Sequence, residues 1–342
     1  MGREGAGRAP SCGHQDHGSS SDCDDGPACR NRELPCTLRS DERQLSDSDE
    51  GTLGSTEENT TNGSERRNQR QRFPGPVKLI STLDEAVKTI WPESVAQVSV
   101  HLTQIGQALI THHRDYEKYC NTCIRNHRLS FIYKSWTDIL NAAEEYTYPR
   151  ENFLSVEDSL SFFDTLISHN RINRREFVER VSIVCNKTLP KRNALAFIGP
   201  PNAGKTLLAD SIVKSFVYFG NLQNMNGLST FEFAPAMHQR IILVNEPRVT
   251  DKTVEQFKNI LEGHNVSIDE KFKAPQVLER TPVIIAGNNN LVLFTTQREI
   301  NLAAVQARCY WYDMTPCDEL KNCTAGLNPR MWKVLLSQYD LF

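Results

Sequence analysis

An eight-residue loop near the middle of the sequence combines glycine, lysine and threonine at a spacing that binds phosphates. It fits the pattern G-x-x-x-x-G-K-[S/T] and stands between an apolar run and an amphipathic stretch, the strand-to-helix context that this motif requires. In such loops backbone N–H groups and the helix N-terminus face the phosphates, the lysine reaches the β and γ oxygens, and the hydroxyl binds Mg²⁺. The residues predicted to bind a nucleoside triphosphate are Gly199, Pro200, Pro201, Asn202, Ala203, Gly204, Lys205 and Thr206, with Thr206 as a Mg²⁺ ligand.

Polar groups also follow two later apolar runs. Ile241–Val244 leads into Asn245 and Glu246, the place where nucleotide hydrolases carry acids that hold the metal and polarise the attacking water. Pro282–Ala286 leads to Asn288, whose amide could hold the water or the γ-phosphate. Taken alone, each pattern is more typical of a strand followed by a polar turn. Beside the phosphate loop, Glu246 becomes the candidate water-activating carboxylate and Mg²⁺ ligand.

The elements that must hold these residues are those of an α/β domain. After Pro190, short apolar runs alternate with amphipathic stretches, as in βαβ units that bury a parallel sheet. We therefore predict a mostly parallel sheet flanked by helices, followed by a C-terminal helix or packing segment. The predicted strands are Ala194–Ile198, Ile241–Val244, Pro282–Ala286 and the segment of Tyr310, Trp311 and Tyr312, and the C-terminal segment contains Trp332, Leu335 and Leu336.

Residues 77–190 have a helical periodicity and predict a small helical subdomain. Ser155 and Asp158 form a capping pair in front of one helix. Pro190 ends the last helix, because proline lacks the N–H donor. The apolar positions that share helix faces are Leu79, Leu83, Val87 and Ile90; Leu102, Ile105 and Leu109; Leu160, Phe163 and Ile167; and Phe177, Val181 and Val184.

The first 76 residues predict a disordered tail. No Phe, Tyr, Trp, Ile or Val precedes Phe73, so this segment cannot bury enough apolar surface to offset the entropy of ordering. A solvated linker is the favoured interpretation. The alternatives are serine phosphorylation in the acidic patch Ser46–Glu50 and a nuclear-import or nucleic-acid patch at Arg66, Arg67, Arg70 and Arg72.

Charge and hydropathy exclude two classes of protein. The 342 residues carry 39 Lys and Arg against 42 Asp and Glu, which excludes a polybasic protein and requires any nucleic-acid contact to come from a local cluster of cations. No apolar run approaches the roughly 20 residues that span a bilayer, and no signal sequence is recognisable. We therefore expect a soluble, non-secreted protein without a membrane partner, whose ten cysteines are reduced.

Four residues offer zinc-ligand chemistry within the helical segment. His113, Cys120, Cys123 and His127 provide a Cys-x-x-Cys pair with flanking histidines, and His112 could replace His113. On a continuous helix the same positions follow a seven-residue spacing, which is also typical of an ordinary packed face. The packed face is the favoured alternative.

The order of these motifs resembles the superfamily 3 helicase domain of small DNA viruses. Within that superfamily it is most similar to the nonstructural replication initiator of parvoviruses, over roughly residues 150 to 315. Besides the phosphate loop and the strand ends, the resemblance rests on Lys191-Arg192-Asn193, Lys258, Gly263, and the run Asp269-x-Lys271-x-Lys273.

The resemblance implies an ATPase of the P-loop, AAA+-like type that forms rings, commonly hexamers, around DNA. Lys205 and Thr206 would bind ATP and Mg²⁺, Glu246 would be the second acid of the B motif, and Asn288 would be sensor 1. Arg308 would be the arginine finger that reaches the nucleotide of the neighbouring subunit. The implied function is ATP-driven unwinding of viral DNA in the host nucleus, with packaging of DNA into a capsid as a use of the same motor that the residues do not exclude.

The same resemblance assigns a DNA contact and four domains. Lys271 and Lys273 would lie on a hairpin that enters the channel of the ring and grips single-stranded or forked DNA, while Lys258 would approach the nucleotide. The expected divisions are a tail at 1–76, a helical oligomerisation subdomain at 77–190, the ATPase core at 191–315 and a packing segment at 316–342.

Two departures from the family pattern motivate an alternative function. Asn245 stands where the family usually has an acid, and the His-x-His metal site of the parvoviral nuclease is missing from the sequence. The alternative is a truncated or endogenised protein that binds nucleotide without hydrolysing it and forms mixed rings with a full-length initiator. The truncated or endogenised protein would then regulate or interfere with the full-length initiator.

Overall fold

The computed structural model describes most of the chain from residue 75 onwards. The tail predicted at residues 1–76 lies outside the described residues except at its last two positions, and Lys273 lies outside them too. The described residues are 75–143, 153–222, 225, 229, 231–272, 274–288, 291–323 and 325–342.

A five-stranded parallel sheet organises the second half of the chain, as the sequence predicts. Its spatial order is β2-β3-β6-β1-β7, so the strand before the phosphate loop, β1, lies between β6 and β7. Two further strands, β4 and β5, form an antiparallel hairpin. The strands are β1 (Ala194–Ile198), β2 (Gly220–Leu222), β3 (Ile242–Asn245), β4 (Val266–Ile268), β5 (Gln276–Leu278), β6 (Val283–Gly287) and β7 (Cys309–Asp313).

Ten α-helices surround the sheet and precede it in the described part of the chain, and none of them is long and apolar enough to cross a membrane. Short 3₁₀ segments lie at Ala108–His112, Ala234–Ala236 and Asp318–Asn322. The helices are α1 (Pro76–Ile90), α2 (Val95–Gln104), α3 (Tyr116–Leu129), α4 (Trp136–Ala142), α5 (Val156–His169), α6 (Arg174–Cys185), α7 (Lys205–Lys214), α8 (Val254–Glu262), α9 (Arg298–Ala307) and α10 (Met331–Ser337).

The sheet is covered on both faces, which explains why β1 and β6 are apolar throughout and fully buried. Successive residues of a strand point to opposite faces. Accordingly Leu195 and Phe197 pack with α4, α5, α6, α7 and α10, whereas Ala194 and Ala196 pack with α8 and the hairpin. This two-sided burial fixes the strand ends, and with them the residues that follow.

The helices of residues 77–190 divide into two packing groups. Helices α1, α2 and α3 bury Leu79, Leu83 and Leu102 in a core of their own. Helices α4, α5 and α6 instead share the core on one face of the sheet. The domain divisions stay predictions, although this packing joins α4, α5 and α6 to the sheet.

Two predicted helix ends are wrong and one helix start is confirmed. The helix through Leu102 ends at Gln104, and Ile105 and Leu109 are about half exposed, because the chain turns at Gly106 with φ +75°. Helix α6 ends at Cys185, before Pro190. At the start of α5, the Ser155 hydroxyl accepts a 3.0 Å hydrogen bond from the Asp158 amide, as the capping pair predicts.

The hypothetical zinc site in the helical segment is not formed. Cys120 and Cys123 lie buried in the core of α1, α2 and α3, where burial raises the pKa of Cys120 to about 11. His127 Nδ1 lies 3.1 Å from the Tyr218 hydroxyl, and His113 Nδ1 accepts from the Asp115 amide. The packed-face interpretation is therefore confirmed for Cys120 and Cys123, but the continuous helix is wrong at His113, which precedes the start of α3.

Candidate nucleotide and DNA sites

The phosphate loop begins where β1 meets the segment after β7. The backbone approaches so closely that a Cβ at Gly199 would lie 2.0 Å from the carbonyl oxygen of Met314. Gly204 adopts φ +76° and caps the start of α7, which is the left-handed region that favours glycine. These two positions explain why the loop requires glycine, and they leave the amides at the start of α7 free to face an anion.

Lys205 is the first residue of α7 and is 6% exposed. Its Nζ donates to the carbonyl of Pro200 at 2.7 Å, so the ammonium lies against the loop. Burial lowers the pKa of Lys205, and the negative charge of Glu246 opposes this change. The lysine and the candidate catalytic carboxylate therefore lie within electrostatic reach of each other.

Glu246 and Asn288 meet at the carboxyl ends of β3 and β6. The backbone N–H of Asn288 donates to Glu246 Oε2 at 3.0 Å. The backbone N–H of Glu246 donates to the Ala286 carbonyl at 2.8 Å. Glu246 has φ +49°, a conformation that is costly for a residue with a long side chain and that clusters at functional sites. The parallel register, with Asn245 opposite Ala286, holds both residues beside the loop.

The residues present fit Mg²⁺. Thr206 follows Lys205 in the first turn of α7, and its side chain is exposed, as is that of Glu246. Hydroxyl and carboxylate oxygens are the hard ligands that Mg²⁺ takes alongside phosphate oxygens and water. Thr206 and Glu246 would hold the ion, and the half-buried Asn245 can contribute only a neutral oxygen.

Arg308 lies at the opposite edge of the sheet. Cys309 pairs with Ala194 at the amino ends of β7 and β1, whereas the loop follows the carboxyl end of β1. A strand of this length separates the two edges by roughly 15 Å. The Arg308 guanidinium binds Glu262 Oε2 at 2.8 Å and the Ala304 carbonyl at 2.7 Å. Arg308 therefore cannot reach the nucleotide of its own chain.

The β4–β5 hairpin carries Lys271 in its turn. The adjacent Phe272 is 93% exposed, and Lys271 Nζ lies 5.0 Å from the centre of its ring. The hairpin thus presents a cation beside an exposed aromatic ring, a pair suited to single-stranded nucleic acid. Lys258 lies outside the hairpin, on α8, where it pairs with Glu255 at 2.5 Å.

Sequence reasoning missed two residues of these sites. Phe272 had a signal, because an aromatic residue flanked by two lysines is a stacking candidate in a nucleic-acid hairpin. Glu262 had no local signal, because it is 46 residues from Arg308 in sequence and only the fold brings them together.

Comparison with known proteins gives a family and a fold. A family model described as "Parvovirus non-structural protein NS1" matches residues 139–338. The chain is 26% identical to Initiator protein NS1 of Bombyx mori densovirus over 188 residues, which is 55% of this chain and 20% of that protein. It is 29% identical to Replication protein E1 of Human papillomavirus 47 over 194 residues, which is 55% of this chain and 31% of that protein.

Among solved structures, the chain is similar to the crystal structure of N-(4-(2-(thiazolo[5,4-c]pyridin-2-yl)phenoxy)phenyl)acetamide bound to JCV helicase. The TM-score is 0.57 at 13% identity, over 76% of this chain and 86% of that chain. This likeness supports the P-loop fold described above. The alignments with these two curated relatives span less than a third of each relative's length.

Proposed function

The chain belongs to the parvovirus non-structural protein NS1 family, as its motifs predicted, and on this premise we propose that it is an ATP-dependent DNA helicase or translocase acting in viral genome replication. Its relatives are named as replication initiators and replication proteins. The proposed substrates are ATP and single-stranded or forked viral DNA, and the proposed place of action is the host nucleus.

The observation that carries the proposal is the contact between Glu246 and Asn288 beside Lys205. Nucleotide hydrolases use a carboxylate, a polar residue such as asparagine and a lysine at the carboxyl edge of a parallel sheet. Their positions follow from three different segments of the chain, so their meeting is not a consequence of one local motif.

In the proposed reaction, water attacks the γ-phosphate in line while Glu246 orients it and accepts its proton. Lys205 and the amides of the loop stabilise the charge that develops on the phosphate oxygens. Mg²⁺, when bound, would neutralise part of that charge and orient the phosphates. Asn288, fixed by its hydrogen bond to Glu246, would sense the γ-phosphate through its side chain.

Arg308 makes the proposed site a shared one. Because Arg308 lies at the amino edge, it would complete the site of a neighbouring copy in a head-to-tail ring, for which we propose a hexamer. Lys271 and Lys273 would grip the DNA backbone within the ring, and movement of the hairpin with the nucleotide state would pull the strand. Lys258 would act near the nucleotide.

The alternative of a nucleotide-binding protein that does not hydrolyse ATP rests on Asn245 and on the missing His-x-His site. Neither the relatives nor the contacts among the described residues favour it, and Glu246 is present and in contact with Asn288. A full-length initiator as a partner belongs to this alternative.

Steady-state ATP hydrolysis by the full chain, with and without single-stranded DNA, tests the proposal together with displacement of a labelled strand from a forked duplex. We expect hydrolysis that DNA stimulates, and strand displacement that requires ATP. Tight ATP binding without hydrolysis would overturn the proposal and favour the non-hydrolysing protein.

A further inference from the structure

A group of metal-ligating side chains lies outside the residues assigned to catalysis. His169, Cys317 and Glu319 each offer one ligand atom, and these three atoms all lie within 4.8 Å of one another. Within the part of the chain that the structure describes, this is the only group of at least three His, Cys, Asp or Glu side chains that converge in this way.

The backbone around the three residues is held by specific hydrogen bonds. His169 is the last residue of α5, and the next residue, Asn170, accepts a 2.8 Å hydrogen bond from the Thr315 amide. The Thr315 hydroxyl lies 3.1 Å from His169 Nε2. The Cys317 amide donates to the carbonyl of Asn202 at 3.1 Å. The fold therefore positions His169 and Cys317 next to each other.

We propose that His169, Cys317 and Glu319 form a zinc site. Imidazole nitrogen, thiolate sulfur and carboxylate oxygen are the three ligand types that Zn²⁺ takes in proteins, at about 2.0 to 2.3 Å. A tetrahedral ion with such bonds needs its ligand atoms about 3.3 to 3.8 Å apart. Cys317 Sγ and Glu319 Oε2 are 3.0 Å apart, so a small rotation of the exposed Glu319 side chain brings them to that spacing.

Zinc binding displaces one proton and one hydrogen-bond contact at these residues. The Cys317 thiol, which donates to Glu319, releases its proton to solvent as the sulfur binds the ion. His169 exchanges its contact with Thr315 for the metal. Three protein ligands leave the fourth position to water, since the Thr315 hydroxyl is a poor zinc ligand.

The ligand chemistry also selects the kind of ion. A thiolate disfavours Mg²⁺ and Ca²⁺, which take oxygen ligands, so this site differs from the Mg²⁺ position at Thr206 and Glu246. A disulfide with Cys323 does not explain the cluster, because both thiols are free and the Cys323 thiol donates to the Ala325 carbonyl.

A bound ion would connect two segments that support the phosphate loop. It would tie the end of α5 to the segment after β7, and that segment holds the phosphate loop through Asn202. Leu166 of α5 and Leu320 also close around Gly204, where their side chains would lie within 3.0 Å of an added Cβ. A bound ion would therefore fix the outer support of the loop, whether or not the chain hydrolyses ATP.

Cobalt substitution in the full chain tests the site directly. After removal of metals with a chelator, Co²⁺ is titrated and the thiolate-to-cobalt charge-transfer and tetrahedral d–d absorption bands are recorded. We expect Cys317→Ser to lose one bound Co²⁺ relative to the unmodified chain, and Zn²⁺ to displace that ion. In competition titrations we expect a loss of Zn²⁺ affinity at this site of at least about 100-fold for Cys317→Ser.

Two further variants keep the result interpretable. Cys323→Ser removes a thiol from the same segment and is expected to keep the full spectrum and stoichiometry. Glu319→Gln changes an exposed side chain, so it is expected to fold normally while Zn²⁺ affinity at this site falls about tenfold or more. Equal Co²⁺ stoichiometry and spectra in Cys317→Ser and the unmodified chain, or an unchanged affinity in Glu319→Gln, would overturn the site. Neither outcome depends on ATP hydrolysis, so failure of the site and failure of the helicase proposal are separate results.

Discussion

The two edges of the parallel sheet carry different parts of one proposed reaction. At the carboxyl edge, Lys205 starts the helix after the phosphate loop, and Glu246 and Asn288 follow the ends of β3 and β6 beside that loop. At the amino edge, Arg308 is held by Glu262 and faces away from that loop. In the proposed mechanism, the carboxyl edge binds and orients the nucleotide, whereas Arg308 at the amino edge acts on the nucleotide of another copy of the chain.

This difference teaches how a single chain can require assembly for activity. Parallel strands place all carboxyl ends on one side, so residues after the strands converge and residues before them are kept apart from that site. An arginine that precedes β7 is separated from its own phosphate loop by the full length of the strand. Variants at the two edges should therefore differ in whether a second copy can rescue them.

The largest expected effect is that of Lys205→Ala at the carboxyl edge. Loss of the buried ammonium removes a charge that faces the phosphates in both the bound and the transition state, so ATP hydrolysis should fall to background and nucleotide binding should weaken. Steady-state turnover and fluorescent-nucleotide titration measure the two effects. Lys214→Ala, at the other end of α7, is the matched control and should keep near-normal values; equal losses in both variants would contradict the assignment.

Arg308→Ala should reduce turnover by about 1,000-fold while nucleotide binding is nearly unchanged, because an arginine finger acts mainly in the transition state. The control is Arg298→Ala at the first residue of the same helix, α9, which is exposed. Turnover of Arg308→Ala within threefold of the unmodified chain would remove Arg308 from the mechanism.

Glu246→Gln should lower turnover by about 100-fold, because the amide cannot accept the proton of the attacking water. ATP binding should persist, since the glutamine side chain keeps the shape and can still accept from the Asn288 amide. Single-turnover hydrolysis measures the chemical step. Asn245→Asp is the informative companion: if the family acid is needed for metal binding, this variant should bind Mg²⁺–ATP more tightly than the unmodified chain.

A smaller effect is expected for Lys271→Ala on the hairpin. Loss of one phosphate contact should weaken binding of single-stranded DNA several-fold and reduce the salt dependence of log K by about 0.7, with basal ATP hydrolysis unchanged. Fluorescence anisotropy at several salt concentrations measures both quantities. Lys252→Ala, exposed in the segment before α8, should have no effect, and an unchanged salt dependence in Lys271→Ala would place the DNA contact elsewhere.

The smallest effect is expected for Glu262→Gln. The ion pair with Arg308 is partly exposed, so its loss should change the free energy of unfolding by only about 1 kcal/mol. Turnover should fall less than tenfold, because the finger loses its restraint but keeps its charge. Urea denaturation measures the change in stability, and steady-state assays at matched protein concentration measure turnover. A loss of turnover as large as that of Arg308→Ala would mean that Glu262 has a role of its own.

Local patterns were sufficient to predict β1, the centre of β3, β6 and the phosphate loop. A buried parallel strand reads as a short apolar run, and the loop has fixed residue types at fixed positions. The edge strand β2 gave no such signal, because its three residues, Gly220–Leu222, are too few to form a pattern. The early end of α2 was missed because Ile105 continues the apolar spacing although the chain turns beside it.

The geometry of the sites depended on contacts that no local pattern contains. The hydrogen bond between Asn288 and Glu246 joins residues 42 positions apart, and it exists because β3 and β6 are neighbours in the sheet. The pairing of Arg308 with Glu262 and the convergence of His169 with Cys317 have the same origin. The sequence predicted the residue types at the nucleotide site, while strand order determined which of them meet.

Mixing Lys205→Ala with Arg308→Ala tests the central claim most directly. Each variant alone should be inactive, but a mixed ring contains interfaces in which an intact Lys205 of one subunit meets an intact Arg308 of its neighbour. With random assembly at equal concentrations, about a quarter of the interfaces are competent, so ATP hydrolysis should return to roughly that fraction of the unmodified level. Hydrolysis that stays at the background of the separate variants, under conditions where mixed oligomers are shown to form, would contradict a site shared between the two edges.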